Sequence, residues 1–375
     1  MLYVLPDYYP VFRCLADTCP DTCCAGWQIS IDPKSLKRYR AYRGDFRPRL
    51  LKGIRWNKKV FRQDSHGRCV FLDKKNLCGM YLHMGRDTMC RTCRLYPRHI
   101  EEFENVREVS LSLSCPEAAR LLLEGEAPVR FLEFNRPGRL EAYQNFDQLL
   151  YSQLYTARQR MTGILQNRSL SLFLRFGLIS WLADEMEKKW KRGSLSTWEE
   201  LLEKTESGCF DEMLQKRLIS CRKSSASWIR KAFGSLRTFE VLRGEWPLWL
   251  METEDLLYKR GWKFYETIQE EFRKWMEKDS FDWEIPMEQL GVYFLFSYFC
   301  GSVYDKEIRA CVQLAVVHTW LLREMLTACW LRNEKTLCPE ELTDLACRYS
   351  RELEHSSENQ KHMEALMIQN KLPWL

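Results

Sequence analysis

The sequence predicts a mainly α-helical protein, with an N-terminal cysteine-rich, metal-organised module containing short strands (residues 1–125) followed by a large α-helical domain (126–375). Three observations carry this. After Gly125, apolar residues recur at three- and four-residue intervals over long stretches. Nine of the 16 cysteines fall in the first 115 residues, where the pattern changes every ten to fifteen positions. Only 17 Gly and 13 Pro are spread through 375 residues of 45% hydrophobic composition, which excludes disorder, collagen-like repeats and long linkers.

Taken in order, Trp27 to Ile31 alternates like a strand. Asp32 then supplies a helix N-cap and Pro33 the first helical position, starting a helix that runs to about Tyr42 with Leu36, Tyr39 and Arg43 on one face. Arg68 to Leu72 and Leu77 to Tyr81 are short apolar runs separated by Asp73-Lys74-Lys75-Asn76. They read as a hairpin that brings Cys69 near Cys78. Val106, Val109, Leu111 and Leu113 fit strand or helix, after which Ser114-Cys115-Pro116 opens a helix bearing Ala118, Leu121 and Leu122. Helical periodicity follows over 146–165 and 169–191, where Gly193 stops it, and Ser196-Thr197-Trp198-Glu199 reads as a capping box. Further helices are expected at 210–222, 225–234, 252–278, 286–302, 305–332, 339–353 and 357–371, and no repeat of fixed period occurs.

Charge is uneven. Residues 1–115 carry 21 Lys and Arg against 12 Asp and Glu, and between Lys34 and Arg62 there are 12 basic residues and one acid, Asp45. The apolar run Gly291 to Cys300 is about half the roughly 20 residues that span a bilayer. Met1 to Phe12 has no basic residue and no uninterrupted apolar stretch, so it does not read as a secretory signal. A cytoplasmic protein is expected, and in that reducing setting clustered thiols point to a metal or iron–sulfur centre rather than disulfides.

Cys14, Cys19, Cys23 and Cys24 form C-x4-C-x3-C-C, and Cys90 with Cys93 forms C-x2-C, a spacing that presents two thiolates from one turn. Thiolates suit Zn²⁺ and iron–sulfur clusters because the soft sulfur anion binds them well and the cation offsets the repulsion of adjacent negative charges. Cys69, Cys78 and Cys115 complete the nine candidate ligands. Nine thiols exceed one tetrahedral site, so one [4Fe–4S] cluster with spare thiols, two centres, or a cluster with extra gating cysteines all remain open. His83 and His99 lie in the same module as alternative ligands. The later Cys209, Cys221, Cys300, Cys311, Cys329, Cys338 and Cys347 are scattered singly and read as small buried apolar residues.

The order of these motifs resembles a family. Phe12 before Cys14, Cys19-x3-Cys23-Cys24, Cys69-Val70-Phe71-Leu72, Cys78 with Tyr81, Cys90-Arg91-x-Cys93-Arg94-x-Tyr96-Pro97 and Ser112-Leu113-Ser114-Cys115-Pro116-Glu117-Ala118-Ala119 are similar to flagellin lysine N-methylases, within the broader zinc- or iron-chelating group that carries a CxxxCC cysteine cluster. Beyond residue 125 the resemblance is one of helical layout alone. It implies a bacterial cytosolic enzyme that transfers methyl groups from S-adenosylmethionine to lysine ε-amino groups of flagellin, with a [4Fe–4S] cluster involved.

The residues narrow how such chemistry would work. No two glycines are closer than Gly79 and Gly85, so the Gly-rich dinucleotide-type turn is absent, as is the CxxxCxxC spacing. An open iron on a three-cysteine cluster is then the economical anchor for the donor's methionine part. The acceptor lysine must lose a proton before attack, and Asp73, Asp87, Tyr81, Tyr96, Tyr304 and Asp305 are available, although each also reads as a turn or cap residue. No catalytic or donor-binding residue is assigned from the sequence. Two readings without catalysis compete. The 12 cations between Lys34 and Arg62 interleave with Tyr39, Tyr42, Phe46, Trp56 and Phe61, as a nucleic-acid surface would require, and a purely structural zinc site would explain the cysteines equally well.

Overall fold

The computed structural model describes residues 1–138, 141–206 and 210–369. Its N-terminal third is organised on a four-stranded sheet in the order Arg98–Phe103, Val106–Leu111, Leu2–Pro6, Phe131–Asn135. Leu2–Pro6 runs parallel to Val106–Leu111, with Val4 opposite Glu108, and antiparallel to Phe131–Asn135, with Val4 opposite Glu133. The ambiguity at Val106 resolves as a central strand whose six residues are all buried. Glu108, in that strand, is neutralised by Arg158 of the helix Gln148–Leu165 and also accepts from Tyr151 Oη at 3.1 Å.

Local chemistry set several elements as expected. Asp32 Oδ1 accepts from Ser35 N at 2.9 Å and caps the helix Pro33–Ala41, with Leu36 and Tyr39 buried. Arg43 lies beyond that helix and is exposed, so it shares no face with them. Trp27 to Ile31 alternates in burial but forms no strand of its own, its backbone pairing being an isolated bridge from Ser30 to Val60. The hairpin at 68–81 is half formed. Leu72 bridges Cys78 and Asp73 closes the turn onto Leu77, but Gly79 begins the helix Gly79–Met84. Cys115 caps the helix Pro116–Leu123 as expected.

The helical region differs from expectation at four places. The first element after residue 125 is the strand Phe131–Asn135 rather than a helix. The expected helix 252–278 is two, Trp246–Leu257 and Trp262–Met276, separated at Gly261, whose φ of +87° a helix cannot hold. Ser196 sits inside a 3-10 turn, Leu195–Thr197, so its capping box does not form; one forms instead at Cys338 and Glu341. Cys338 is therefore an exposed cap residue, not core, whereas Cys300, Cys311, Cys329 and Cys347 are buried. Cys209 and the end of the expected helix 357–371 lie outside the described residues, the last helix being Ser357–Gln369.

The helix Ile308–Arg332 is buried on nearly every side, as a helix apolar all round should be. Helices Leu172–Lys191, Glu284–Tyr298 and Pro339–Glu354 pack about it. The core they share is continuous with the sheet through Val4, Phe103 and Val106. A second, smaller core lies within the cysteine module, around Ile29, Tyr39, Phe46, Phe61 and Phe71. Among the described residues no helix is long and apolar enough to cross a membrane.

Candidate functional site

The nine cysteines fall into two groups. Backbone pairing makes the first. Cys69 N donates to Cys24 O at 2.7 Å, Ala25 bridges Arg68, and Leu72 bridges Cys78, so the loop at 23–26 lies against the hairpin. Cys23 Sγ and Cys24 Sγ are 3.9 Å apart. The Cys24 thiol keeps its proton and shares it with Cys23 and Cys78, whose own pKa values fall, that of Cys78 to about 6. Cys93 likewise donates to Cys90, which is thereby lowered. Burial pushes Cys69, between these pairs, up to about 12. Cys78 and Cys90 each cap a short helix, where unpaired backbone N–H groups favour thiolate.

Cys14, Cys19 and Cys115 form the second group, with Cys115 packed against Phe12, Leu111 and Ala118. Burial raises Cys19 to about 11, with Cys14 and Cys23 adding to it, and Cys115 to about 12, with Cys19 and Cys14 adding to it. Cys347, on the helix Pro339–Glu354, stands within electrostatic reach of Cys115 and Cys19, a neighbour that its isolated position in the sequence concealed. Among the described residues no three His, Cys, Asp or Glu side chains converge closely enough to hold one ion as they stand. His83 stacks on Phe46 at 4.9 Å, and His99 Nε2 pairs with Glu101 at 2.6 Å. Neither histidine is directed at a thiol.

The helical domain clamps the cysteine loop. Arg351 reaches Asp21, between Cys19 and Cys23, and donates from Nε to Ser114 O at 2.9 Å. Beside this clamp opens a cleft of about 440 Å³, floored by Tyr96, His99 and Ser112 from the module and by Tyr293, Tyr298, Glu354 and His355 from the helices. The rings of Trp27, Tyr96 and His355 form one wall, with centroids 4.7 to 6.1 Å apart. Glu354 accepts from Ser350 Oγ at 2.7 Å, Ser112 Oγ at 2.9 Å and Tyr293 Oη at 3.0 Å. Ser112 Oγ meets Ser114 Oγ at 2.8 Å, which in turn meets His355 Nε2 at 2.8 Å and Tyr96 Oη at 3.1 Å. A chain of hydroxyls thus links a carboxylate to an imidazole. Burial, with the Arg351 and Arg243 cations, lowers His355 to about 4, so it is neutral near pH 7.

Of the residues considered from the sequence for proton removal, only Tyr96 reaches this cleft. Asp73 and Asp305 accept from backbone amides in turns, Tyr304 Oη donates to Glu102 O, and Tyr81 is exposed. Asp87 sits in a 3-10 turn. The basic stretch likewise loses its stacking platform, since Tyr39, Phe46 and Phe61 are core residues and Arg40 covers Trp56 at 5.0 Å. Trp27, Tyr293, Tyr298, Glu354 and His355 were missed. One signal was present, in that Glu354 ends a helix where the macrodipole disfavours a carboxylate.

A family model for the FliB lysine N-methylase C-terminal domain matches residues 158–373. The chain belongs to the FliB lysine N-methylase family. A second model, for the zinc- or iron-chelating domain with the CxxCxxCC pattern, matches residues 13–111. This FliB-family chain is also similar to the flagellar biosynthetic protein FliU of Salmonella muenchen, at 31% identity over 130 residues, covering 32% of this chain and 75% of FliU. It is 29% identical over 130 residues to lysine-N-methylases of Salmonella typhimurium and Salmonella choleraesuis, covering 32% of this chain and 31% of each. The match thus spans about a third of those two enzymes. No solved structure matches.

Proposed function

We propose that this chain is a cytoplasmic lysine N-methyltransferase that moves a methyl group from S-adenosylmethionine to lysine ε-amino groups of flagellin, with a [4Fe–4S] cluster held by the N-terminal cysteines. The cleft between the thiols and the helical domain carries the reading. It places a carboxylate, an aromatic wall and a neutral imidazole beside the cysteine module. An acceptor lysine arrives as an ammonium, which the Glu354 carboxylate binds and orients. The faces of Trp27 and Tyr96 suit a cation that becomes more alkylated with each transfer. Glu354 takes the ammonium proton as the nitrogen lone pair is freed to attack, and the Ser112–Ser114 hydroxyl chain, anchored on the neutral His355, holds that carboxylate in place. The donor set fits the cluster in kind. Hydrogen bonds from neighbouring thiols lower the pKa values of Cys23, Cys78 and Cys90, and the crowding of thiols whose charges repel one another is what a cation relieves. When bound, the cluster supplies an iron that can anchor the amino and carboxyl groups of S-adenosylmethionine.

Protein purified without oxygen should contain about four iron and four sulfide per chain and should methylate flagellin with S-adenosylmethionine, read by mass spectrometry of its lysines. Glu354→Gln should lower kcat by about two orders of magnitude while iron content stays at the parent level. Zinc without sulfide would remove the cluster from the proposal. Undiminished turnover in Glu354→Gln would remove the cleft.

A further inference from the structure

The basic stretch between Lys34 and Arg62 folds into one surface of the cysteine module. Ten of its 12 lysines and arginines are exposed. On the helix Pro33–Ala41, Ser35, Leu36 and Tyr39 are buried, which leaves Lys34, Lys37 and Arg40 on the outward face. Ile31 N donates to Lys59 O at 2.8 Å, and the Arg40 guanidinium lies 5.0 Å from the Trp56 ring centroid. That face therefore runs into the turn carrying Arg55, Lys58 and Lys59. Arg62 N donates to Gly53 O at 2.8 Å, which brings the end of the helix Arg47–Lys52 beside it.

The chain itself does not neutralise this surface. Among the described residues, no lysine or arginine from Arg13 to Arg98 has a carboxylate within ion-pair distance. Asp45 is the one acid in the stretch, and Asp32, just before it, is spent on the backbone amides of Ser35 and Arg91 at 2.9 and 2.8 Å. Exposed lysines of the helical domain behave differently. Lys188, Lys216, Lys259 and Lys361 each pair with a carboxylate one turn away. Unpaired cations are thus particular to the module, and like charges crowded on one face are relieved by an anionic partner laid across them.

The surface adjoins the cleft. Asp32, the N-cap of the basic helix, accepts from Arg91 N, and Ser30 O accepts from Thr92 Oγ1 at 3.0 Å; Arg91 and Thr92 both line the cleft. Arg91 is itself exposed, so the run of cations reaches the cleft mouth. A single-stranded nucleic acid fits less well than a polypeptide. Tyr39, Phe46 and Phe61 are buried and Arg40 covers Trp56, so bases would find little to stack on. We infer that this surface docks an acidic face of the protein substrate, whose carboxylates meet the cations while a neighbouring lysine enters the cleft. That the partner is the substrate rests on the methylation reading; that the surface holds an acidic polypeptide does not.

Two measurements on the full chain test this, with a variant carrying Lys34→Glu, Lys37→Glu and Lys58→Glu. A control with the same change of net charge carries Lys216→Glu, Lys259→Glu and Lys361→Glu in the helical domain. Fluorescence anisotropy of labelled poly-L-glutamate needs no turnover. Binding at low salt should weaken at least tenfold in the module variant and less than twofold in the control, and a single-stranded RNA of matched charge should bind no more than tenfold tighter than polyglutamate. In methylation, the module variant should raise KM for flagellin at least tenfold with kcat within twofold of the parent, and a short lysine peptide without Asp or Glu should be methylated as before. Polyglutamate bound equally by parent and module variant, or lost equally in the control, would overturn the docking surface. RNA bound more than tenfold tighter, and lost in the module variant, would reassign it to nucleic acid. An unchanged KM for flagellin would remove the substrate as the partner, whereas a parent that methylates nothing would fail the methylation reading and leave the polyglutamate result to decide the surface.

Discussion

His318 shows how one buried side chain ties stability to pH. Its Nδ1 meets Tyr349 Oη at 2.6 Å, its ring stacks on Phe294 at 4.8 Å, and Tyr298 and Glu364 stand around the same space. Burial lowers its pKa from 6.5 to about 3. The folded state keeps the imidazole neutral while the unfolded chain takes a proton below 6.5. Folding stability is therefore unaffected by this group above that pH and falls as pH drops toward 3, by about 1.4 kcal/mol per unit. Urea unfolding from pH 7 to 4 should show this loss below 6.5 together with that of His355, and His318→Gln should remove about 1.4 kcal/mol per unit of it. An unchanged slope in the variant would place the acid sensitivity elsewhere. The cysteines illustrate what single residues disclose. Their spacing announced a thiol-rich site, because C-x2-C and C-x3-C-C are local. That Cys347 joins Cys19 and Cys115 was not legible, since the juxtaposition spans more than 200 positions and leaves no local pattern.

Element type was readable where it depended on near neighbours. Asp32-Pro33 starts a helix through a cap formed within three residues, Cys115-Pro116 starts one with proline in its first turn, and the long apolar periodicities became helices. Elements that depend on distant partners were not readable. Phe131–Asn135 lies at the sheet edge with no fully buried residue, so it lacks an alternating signal and exists because Leu2–Pro6 pairs with it. At the junction of two well-predicted helices, Gly291 marks a close approach. A Cβ there would sit 2.6 Å from Phe176 Cζ and 2.8 Å from Cε1, in a ring that is itself fully buried. Gly291→Ala should cost about 1–3 kcal/mol, although alanine is the better helix former. Chemical denaturation decides which effect wins, and a stabilised variant would mean that Phe176 has room to turn.

At the scale of the molecule the two cores predict two kinds of stability. The helical core is large and continuous with the sheet, with Trp198, Trp283 and Trp330 fully buried within it. The core of the cysteine module is small and ends on Cys69 and Cys90 themselves. A module with so little apolar interior relies on a covalent or metal staple, and its attachment to the helices runs largely through Arg351, Asp21 and the contact of Trp27 with His355 at 4.7 Å. Stripping metal from the loaded protein should therefore leave the far-ultraviolet helix signal nearly intact while amide exchange quickens over 14–95. Exchange should quicken next over the end of Pro339–Glu354, where the clamp begins, and least in Ile308–Arg332. Hydrogen exchange with mass spectrometry, before and after chelation, resolves these segments. Quickening spread evenly over both regions would mean that the chain unfolds as one unit, and no change at 14–95 would mean that the thiols hold their loops without a metal.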